Sequence, residues 1–97
     1  MEAELVRQHL KKGNPIGGPK TLDTTPIFYH DKKGDDEKIS QLWKKYKNRP
    51  EVPYIYVQGK DKNKPNTWHV SFIYGNLGAN HYTVDTKKKT VELSGIS

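Results

Sequence analysis

The stretch TWHVSFIYGNLGANHYTVDTKKKTVELSG, from Thr67 to Gly95, decides the fold because it contains three runs of alternating apolar and polar residues. Side chains on a β-strand point alternately to the two faces of a sheet, so this period of two is typical of strands with one buried face. The residues predicted to face the core are Trp68, Val70, Phe72, Tyr74, Tyr82, Val84, Val91 and Leu93. The stretch therefore predicts three consecutive antiparallel strands over residues 67–74, 81–85 and 90–95.

Two further strands and one long helix are predicted before this stretch. Residues 53–59 alternate in the same way, and residues 25–30 form a short β-rich run that contains a proline, which suits an edge strand. Residues 36–48 carry apolar residues at helical spacing, namely Ile39, Leu42, Trp43 and Tyr46. We therefore expect an α+β fold in which one main helix packs on a four- or five-stranded antiparallel sheet.

The first 21 residues predict a short helical arm followed by a linker. Leu5, Val6 and Leu10 lie on one side of a helix over residues 2–12, and Gly13 suits its C-terminal end. Residues 13–21 are rich in glycine and proline, which interrupt regular structure. We therefore expect a loosely attached N-terminal arm and linker over residues 1–21 and a single small α+β domain over residues 22–97.

The whole chain has 97 residues, a net charge of +6 and no cysteine. This is the length of one domain, and the lack of cysteine excludes a disulfide framework and cysteine-ligated zinc. The sequence has neither an apolar run of the roughly 20 residues that a membrane span needs nor the apolar core of a signal peptide. We expect a cytoplasmic protein if the chain is complete, and a secreted one if it is a mature or excised domain.

The positive charge is concentrated in loops, which favours an acidic partner such as nucleic acid or an acidic protein. Two predicted loops contain Lys60, Lys62, Lys64, Lys87, Lys88 and Lys89, and the end of the main helix adds Lys44, Lys45, Lys47 and Arg49. If these sites converge, they would bind phosphate groups. Tyr54 and Tyr56, expected to be exposed, would then stack on bases. The alternative interpretation is that lysine-rich loops serve solubility.

Two short motifs, His69-Val-Ser-Phe and His81-Tyr-Thr-Val, suggest catalysis by a pair of histidines. In two-histidine phosphoesterases one histidine acts as base and the other as acid, while hydroxyl groups hold the phosphate. A simple hairpin that pairs Tyr74 with His81 would separate the two histidines by about 16–17 Å along the sheet. It would also place them on opposite faces. We therefore expect two strands with a histidine in each, and no two-histidine site.

A metal-independent ribonuclease is the second catalytic alternative. The predicted fold resembles small bacterial RNase toxins, in which a helix precedes a four-stranded sheet and one face carries a histidine, a basic residue and a hydroxyl group. This resemblance implies His81 as general acid/base, with His69, Thr83 and Lys87 as further candidates. Any solvated sheet face has the same polar character, so the resemblance concerns the fold rather than the site.

No metal or cofactor is predicted. The four histidines show no spacing typical of metal ligands, and the acidic run 31–36 lacks the alternation and terminal glutamate of a calcium loop. The glycine-rich run 13–20 lacks the lysine–hydroxyl ending of a phosphate-binding loop.

Residues 68–94 resemble the C-terminal half of PepSY-type modules. The residues that carry the resemblance are Trp68, Val70 and Phe72, then Tyr82, Val84 and Asp85, and finally Val91. The resemblance implies a helix before a short antiparallel sheet and a small extracytoplasmic domain that binds or inhibits a protein. We hypothesise a basic, non-catalytic binding module that contacts nucleic acid or a protein that it inhibits, with the RNase as the alternative.

Overall fold

The computed structural model describes residues 1–12, 25–45, 53–74 and 78–97, which form an α+β fold. The helices are α1 (Glu2–Lys11) and α2 (Asp35–Lys45), and the strands are β1 (Ile27–Tyr29), β2 (Pro53–Lys60), β3 (Thr67–Tyr74), β4 (Ala79–Asp85) and β5 (Thr90–Ile96). The predicted linker 13–21, the division between residues 21 and 22, the end of the predicted helix 36–48 and the side chain of Trp43 lie outside the described residues.

The five strands form one sheet in the order β1-β2-β3-β4-β5. The last four strands pair antiparallel, as predicted, whereas β1 pairs parallel to β2 with Phe28 opposite Tyr56. The expectation of a fully antiparallel sheet is therefore wrong at this edge. A parallel pair needs a long crossover connection, and the segment between β1 and β2, which contains α2, supplies it.

Helix α1 supplies helical side chains to the core of the sheet. Ala3, Val6 and Leu10 are at most 2% exposed and belong to one cluster with side chains of β2, β3 and β4. Helix α2 contacts β1, and its Ile39 and Leu42 are half-buried. The predicted N-terminal helix is therefore present but packs into the core, whereas the described part of the predicted main helix packs beside the edge strand β1. Both helices have an apolar stripe, and the period of a stripe does not say which one reaches the central strands.

Strands β3 and β4 pair three residues away from the predicted register. Ser71 lies opposite His81 and His69 lies opposite Thr83, whereas the simple hairpin would place Tyr74 opposite His81. A register shift by an odd number of residues exchanges the faces of one strand relative to the other. The prediction that the two histidines lie on opposite faces, far apart, is therefore wrong. They are diagonal neighbours on one face, a relation in which Cα atoms are about 7–8 Å apart.

The early start of β4 explains this register. The strand begins at Ala79, two residues before the prediction, and Tyr74 N donates to Gly78 O at 3.1 Å across the hairpin. Gly78 has φ +132°, and a side chain there would collide with the backbone oxygen of Ser97. Glycine is therefore required at the point where β4 leaves the hairpin loop. The next residue but one, Asn80, then occupies a fully buried position on the core face.

Candidate functional site

Two of the predicted lysine-rich loops lie side by side at one end of the sheet. The β2–β3 loop and the β4–β5 turn meet where Thr86 N donates to Asn66 O at 2.8 Å, and Thr86 Oγ1 donates to the same oxygen at 3.2 Å. The register explains this contact, because Thr67, Asp85 and Thr90 lie opposite one another across three strands. The exposed lysines at this end are Lys60, Lys62, Lys64, Lys87, Lys88 and Lys89.

A groove of about 430 Å³ runs along the polar face of the sheet beside these loops. Its lining residues are Lys64, Thr67, Thr83, Asp85, Lys88, Thr90 and Glu92. One lysine from each loop therefore reaches the same groove, together with hydroxyl groups from three strands. The ammonium and hydroxyl groups are hydrogen-bond donors that suit an anionic ligand, and of the two carboxylates in the lining Asp85 already accepts backbone N–H groups while Glu92 is exposed.

Two aspartates hold the lysine-bearing backbone of these loops. Asp61 Oδ1 accepts the backbone N–H groups of Asn63 at 2.8 Å and Lys64 at 3.0 Å. Asp85 Oδ1 accepts those of Lys87 and Lys88, both at 2.9 Å. These side-chain turns fix where the lysines leave the chain. Segments 60–69 and 83–92 contain six lysines against three carboxylates, so this end of the sheet is positively charged.

Asp61 also orients His69. Its Oδ2 lies 2.9 Å from His69 Nε2, and the His69 side chain is 42% exposed. The pKa of Asp61 is lowered, first by the hydrogen bond from the Asn63 backbone and then by that from His69, so the carboxylate is ionised at neutral pH. An ionised carboxylate only accepts hydrogen bonds, so His69 Nε2 is the donor in this contact.

Replacing Asp61 with asparagine should change how stability depends on pH. A carboxylate whose folded pKa lies below its ordinary value of 3.8 contributes stability above that value and loses it as the pH falls through the folded pKa. We expect the Asp61→Asn variant to be less stable than the parent at neutral pH and to approach it in acid. Urea unfolding between about pH 6 and about pH 3 measures this. Asp31→Asn, in the exposed turn after β1, is the control, and parallel pH profiles for parent and Asp61→Asn would contradict the assignment.

His81 is held by hydrogen bonds at both ring nitrogens. Gln58 Nε2 donates to Ser71 Oγ at 3.0 Å, and Ser71 Oγ lies 2.7 Å from His81 Nδ1. His81 Nε2 lies 2.8 Å from Ser97 Oγ. Ser71 is 1% exposed, so this chain of contacts is anchored inside the protein. His81 therefore lies in a strand, as predicted.

The structure places three of the four predicted catalytic residues, His69, Thr83 and His81, on one face of the sheet. His69 and Thr83 are cross-strand partners, and Thr83 lines the groove beside Lys64 and Lys88. His81 is the third residue of β4, four residues from Asp85, or about 13 Å along the strand from the lysine turn that contains Lys87. The use of His81 together with Lys87 stays a prediction, and His69 is the histidine nearer the basic loops. Asp61 was not identified from the sequence. The sequence feature that could have found it is its position two residues before Asn63 in a predicted loop.

The predicted tyrosine platform is also corrected. Tyr54 is 5% exposed and packs edge-to-face against Phe28, with ring centroids 5.6 Å apart. Tyr56 is half-buried, and its hydroxyl group lies 2.8 Å from His30 Nδ1. Burial and nearby carboxylates, of which Asp36 contributes most, raise the pKa of Tyr56. These rings therefore belong to the packing near β1 and not to the lysine-rich end. In the third basic site, Lys44 is exposed, whereas residues 47 and 49 lie outside the described residues.

Within the described ranges, no three histidine, aspartate or glutamate residues are grouped so that they could hold a metal ion. Neither of the two described helices is long and apolar enough to cross a membrane. Comparison of the chain with family models, with curated proteins and with solved structures gave no match. The resemblance of residues 68–94 to PepSY-type modules stays a prediction.

Proposed function

We propose that this chain is a basic binding module that holds the phosphate groups of a nucleic acid in the groove between its two lysine-rich loops. The observation that carries the proposal is the direct contact between these loops through Thr86 and Asn66, with Lys64 and Lys88 lining one groove. Neutralising phosphates with clustered lysines releases condensed counterions, which is the main source of sequence-independent affinity for nucleic acid.

The residue types favour contact with the backbone rather than with bases. The groove presents two ammonium groups, three hydroxyl groups and the carboxylates of Asp85 and Glu92, whereas base recognition mostly uses bidentate arginine or amide side chains. Tyr54, which would stack on bases if exposed, is buried. Contacts to phosphate fix the position of a ligand without reading its sequence. We therefore expect similar affinities for oligonucleotides of different sequence.

Charge reversal of Lys64 and Lys88 tests this proposal. The variant Lys64→Glu/Lys88→Glu should bind a labelled oligonucleotide about 100-fold more weakly at low salt, because two phosphate contacts become repulsive. The slope of log K against log salt should fall by about 2, about one for each lysine. Fluorescence anisotropy over a series of salt concentrations measures both quantities.

The matched control is Lys32→Glu/Lys33→Glu, which makes the same change in net charge at exposed lysines between β1 and α2. It should retain most of the affinity, because long-range attraction is screened within about 10 Å at moderate salt. Equal losses in the two double variants would show that net charge, and not this groove, causes binding. Absence of binding by the parent would direct the search to an acidic protein partner.

The RNase remains the second candidate, and the His69–Asp61 pair specifically favours it. A histidine with one nitrogen bonded to a carboxylate and the other free to accept a proton is suited to act as a general base on a ribose hydroxyl group. Lys64 and Lys88 would stabilise the charged phosphate nearby. Incubation of RNA with the protein in the absence of metal tests directly whether the RNA is cleaved. Cleavage that is lost in His69→Ala and retained in His81→Ala would establish the RNase. Intact RNA would contradict the RNase and favour the non-catalytic binding module.

A further inference from the structure

The outer edge of β5 is a second candidate interaction surface, and its apolar side chains lie on the opposite face of the sheet from the groove. β5 is the last strand of the sheet and pairs with β4 along one side. Among the described residues, no strand pairs with its other side. An edge strand presents unpaired backbone N–H and C=O groups, which form a template for another strand.

A row of apolar side chains follows this edge on the face that α1 covers. Leu93 lies opposite Tyr82 and Ile96 opposite Asn80, and both of these partners are buried on the core face. A β-bulge between these pairs keeps Leu93 and Ile96 on the same face even though they are three residues apart. Leu93 is 42% exposed and Ile96 is 54% exposed. The predicted core residue Leu93 is therefore at the rim of the core, beside the half-buried Val91.

An apolar pocket of about 290 Å³ lies beside the start of this strand. It is formed by Met1, Glu4, Leu5 and Gln8 of the N-terminal segment together with Lys89 of the β4–β5 turn. Glu4 forms an ion pair with Arg7 at 3.3 Å, so its charge is compensated. Lys89 has a left-handed backbone conformation with φ +56°, and it lines this pocket, whereas the preceding residue Lys88 lines the groove.

We propose that the free edge of β5 accepts an extended acidic segment of a partner protein as a sixth strand. The segment would run antiparallel to β5, place an apolar side chain in the pocket and place carboxylates beside Lys87 and Lys89. Strand addition at a sheet edge is a common mode of peptide recognition, in which backbone hydrogen bonds supply affinity and pockets for alternate side chains supply specificity. The proposal does not rest on nucleic-acid binding, because its pocket and the apolar side chains of β5 lie on the other face of the sheet from the groove.

Charge complementarity identifies the occupant as an acidic segment. β5 contains one charged residue, Glu92. The strand begins directly after three consecutive lysines. A second copy of this chain would bring another net charge of +6 towards the same lysines, whereas carboxylates would neutralise them. The bulge next to Leu93 limits regular pairing to residues 90–93, which fixes the segment as a short one.

The test uses a short fluorescein-labelled peptide in which valine or leucine alternates with threonine and two glutamates follow. The control peptide has lysines in place of the glutamates. We expect the acidic peptide to bind the parent protein and to shift the backbone amide resonances of residues 90–93. Lys89→Glu should weaken binding about fivefold, the scale of a partly exposed charge contact. Leu93→Asp, at an exposed side chain, should also weaken it, whereas Lys88→Glu should change it less than twofold.

Four results would overturn the proposal. These are equal binding of the two peptides, amide shifts confined to the groove residues Thr67 and Thr83, equal effects of Lys88→Glu and Lys89→Glu, and a protein that sediments as a dimer with residues 90–93 protected before peptide is added. The last result would make a second copy the occupant of the edge. Circular dichroism of each variant ensures that weakened binding is not a consequence of unfolding.

Discussion

Replacing Leu10 with alanine should lower the free energy of unfolding by about 3 kcal/mol. Leu10 is 2% exposed and belongs to the cluster that joins α1 to the central strands. Its truncation removes apolar area from the core and leaves a cavity that the surrounding sheet can fill only in part. Urea unfolding followed by tryptophan fluorescence measures the loss, and an unchanged slope would show that the change is one of stability.

The matched variant is Ile39→Ala in α2, which removes a similar apolar side chain from a half-buried position. It should cost about 1 kcal/mol, because less of its area leaves water on folding. The ranking of the two variants decides which helix covers the core. A larger loss from Ile39→Ala than from Leu10→Ala would mean that α2 packs on the sheet and α1 is the loosely attached arm that the sequence suggests.

This ranking matters for function because α1 forms one wall of the pocket beside β5. If α1 were detached, Leu5 would not be held near Lys89, and the proposed strand-addition site would lose its apolar part. The residues that line the groove on the opposite face come from β3, β4, β5 and the two lysine-rich loops. The two proposed surfaces therefore respond differently to core variants of α1: peptide binding should weaken and nucleic-acid binding should persist while the sheet stays folded.

The strands could be predicted from sequence because period-two alternation is a direct consequence of strand geometry. The same alternation also contained the information that corrects the register. Phe72 and Tyr82 were both predicted to face the core, which requires a pairing that places them on one face. The simple hairpin that pairs Tyr74 with His81 does not satisfy this condition. Burial of the apolar residues on one face specifies the register more strongly than the length of the turn does, so the apolar pattern is the better guide to register.

The parallel pairing of β1 and the roles of the helices could not be predicted in the same way. A three-residue strand has too few residues to show its direction or its partner, and the connection between β1 and β2 allows either arrangement. The N-terminal helix is followed by glycines and prolines, which indicate a break in regular structure but do not exclude docking of what precedes it. Docking depends on tertiary contacts, which a local pattern does not contain.

The candidate site was only partly visible in the sequence. The lysine-rich loops could be recognised, but their convergence depends on the register that places Thr67, Asp85 and Thr90 side by side. The alternation of β2 placed Tyr54 on the face opposite Ile55, yet it could not show that Phe28 from another strand packs on that ring. Asp61 was missed because its partner, His69, lies eight residues away and meets it only through the bulged pairing of β2 with β3.

Replacing Asn80 with alanine should cost about 3 kcal/mol of unfolding free energy, the other large effect expected here. Asn80 is fully buried, accepts a hydrogen bond from Tyr74 Oη at 3.1 Å and donates one to Tyr82 Oη at 3.1 Å. Alanine would remove both bonds inside the core and leave a small cavity. Buried polar groups that lose a partner carry their full desolvation cost, which exceeds the net value of the bond itself.

A double-mutant cycle with Tyr82→Phe isolates the contact that carries this cost. Tyr82→Phe alone leaves the Asn80 amide without its acceptor, while Asn80→Ala alone leaves the Tyr82 hydroxyl without its donor. In the double variant neither group remains, so the combined loss should be smaller than the sum of the single losses by about 1 kcal/mol. Additive losses would show that the two groups do not interact. Asn80 would then be a polar residue that is tolerated at a buried position. It would not be the residue that links β3 to β4 on the face of the sheet opposite the two histidines.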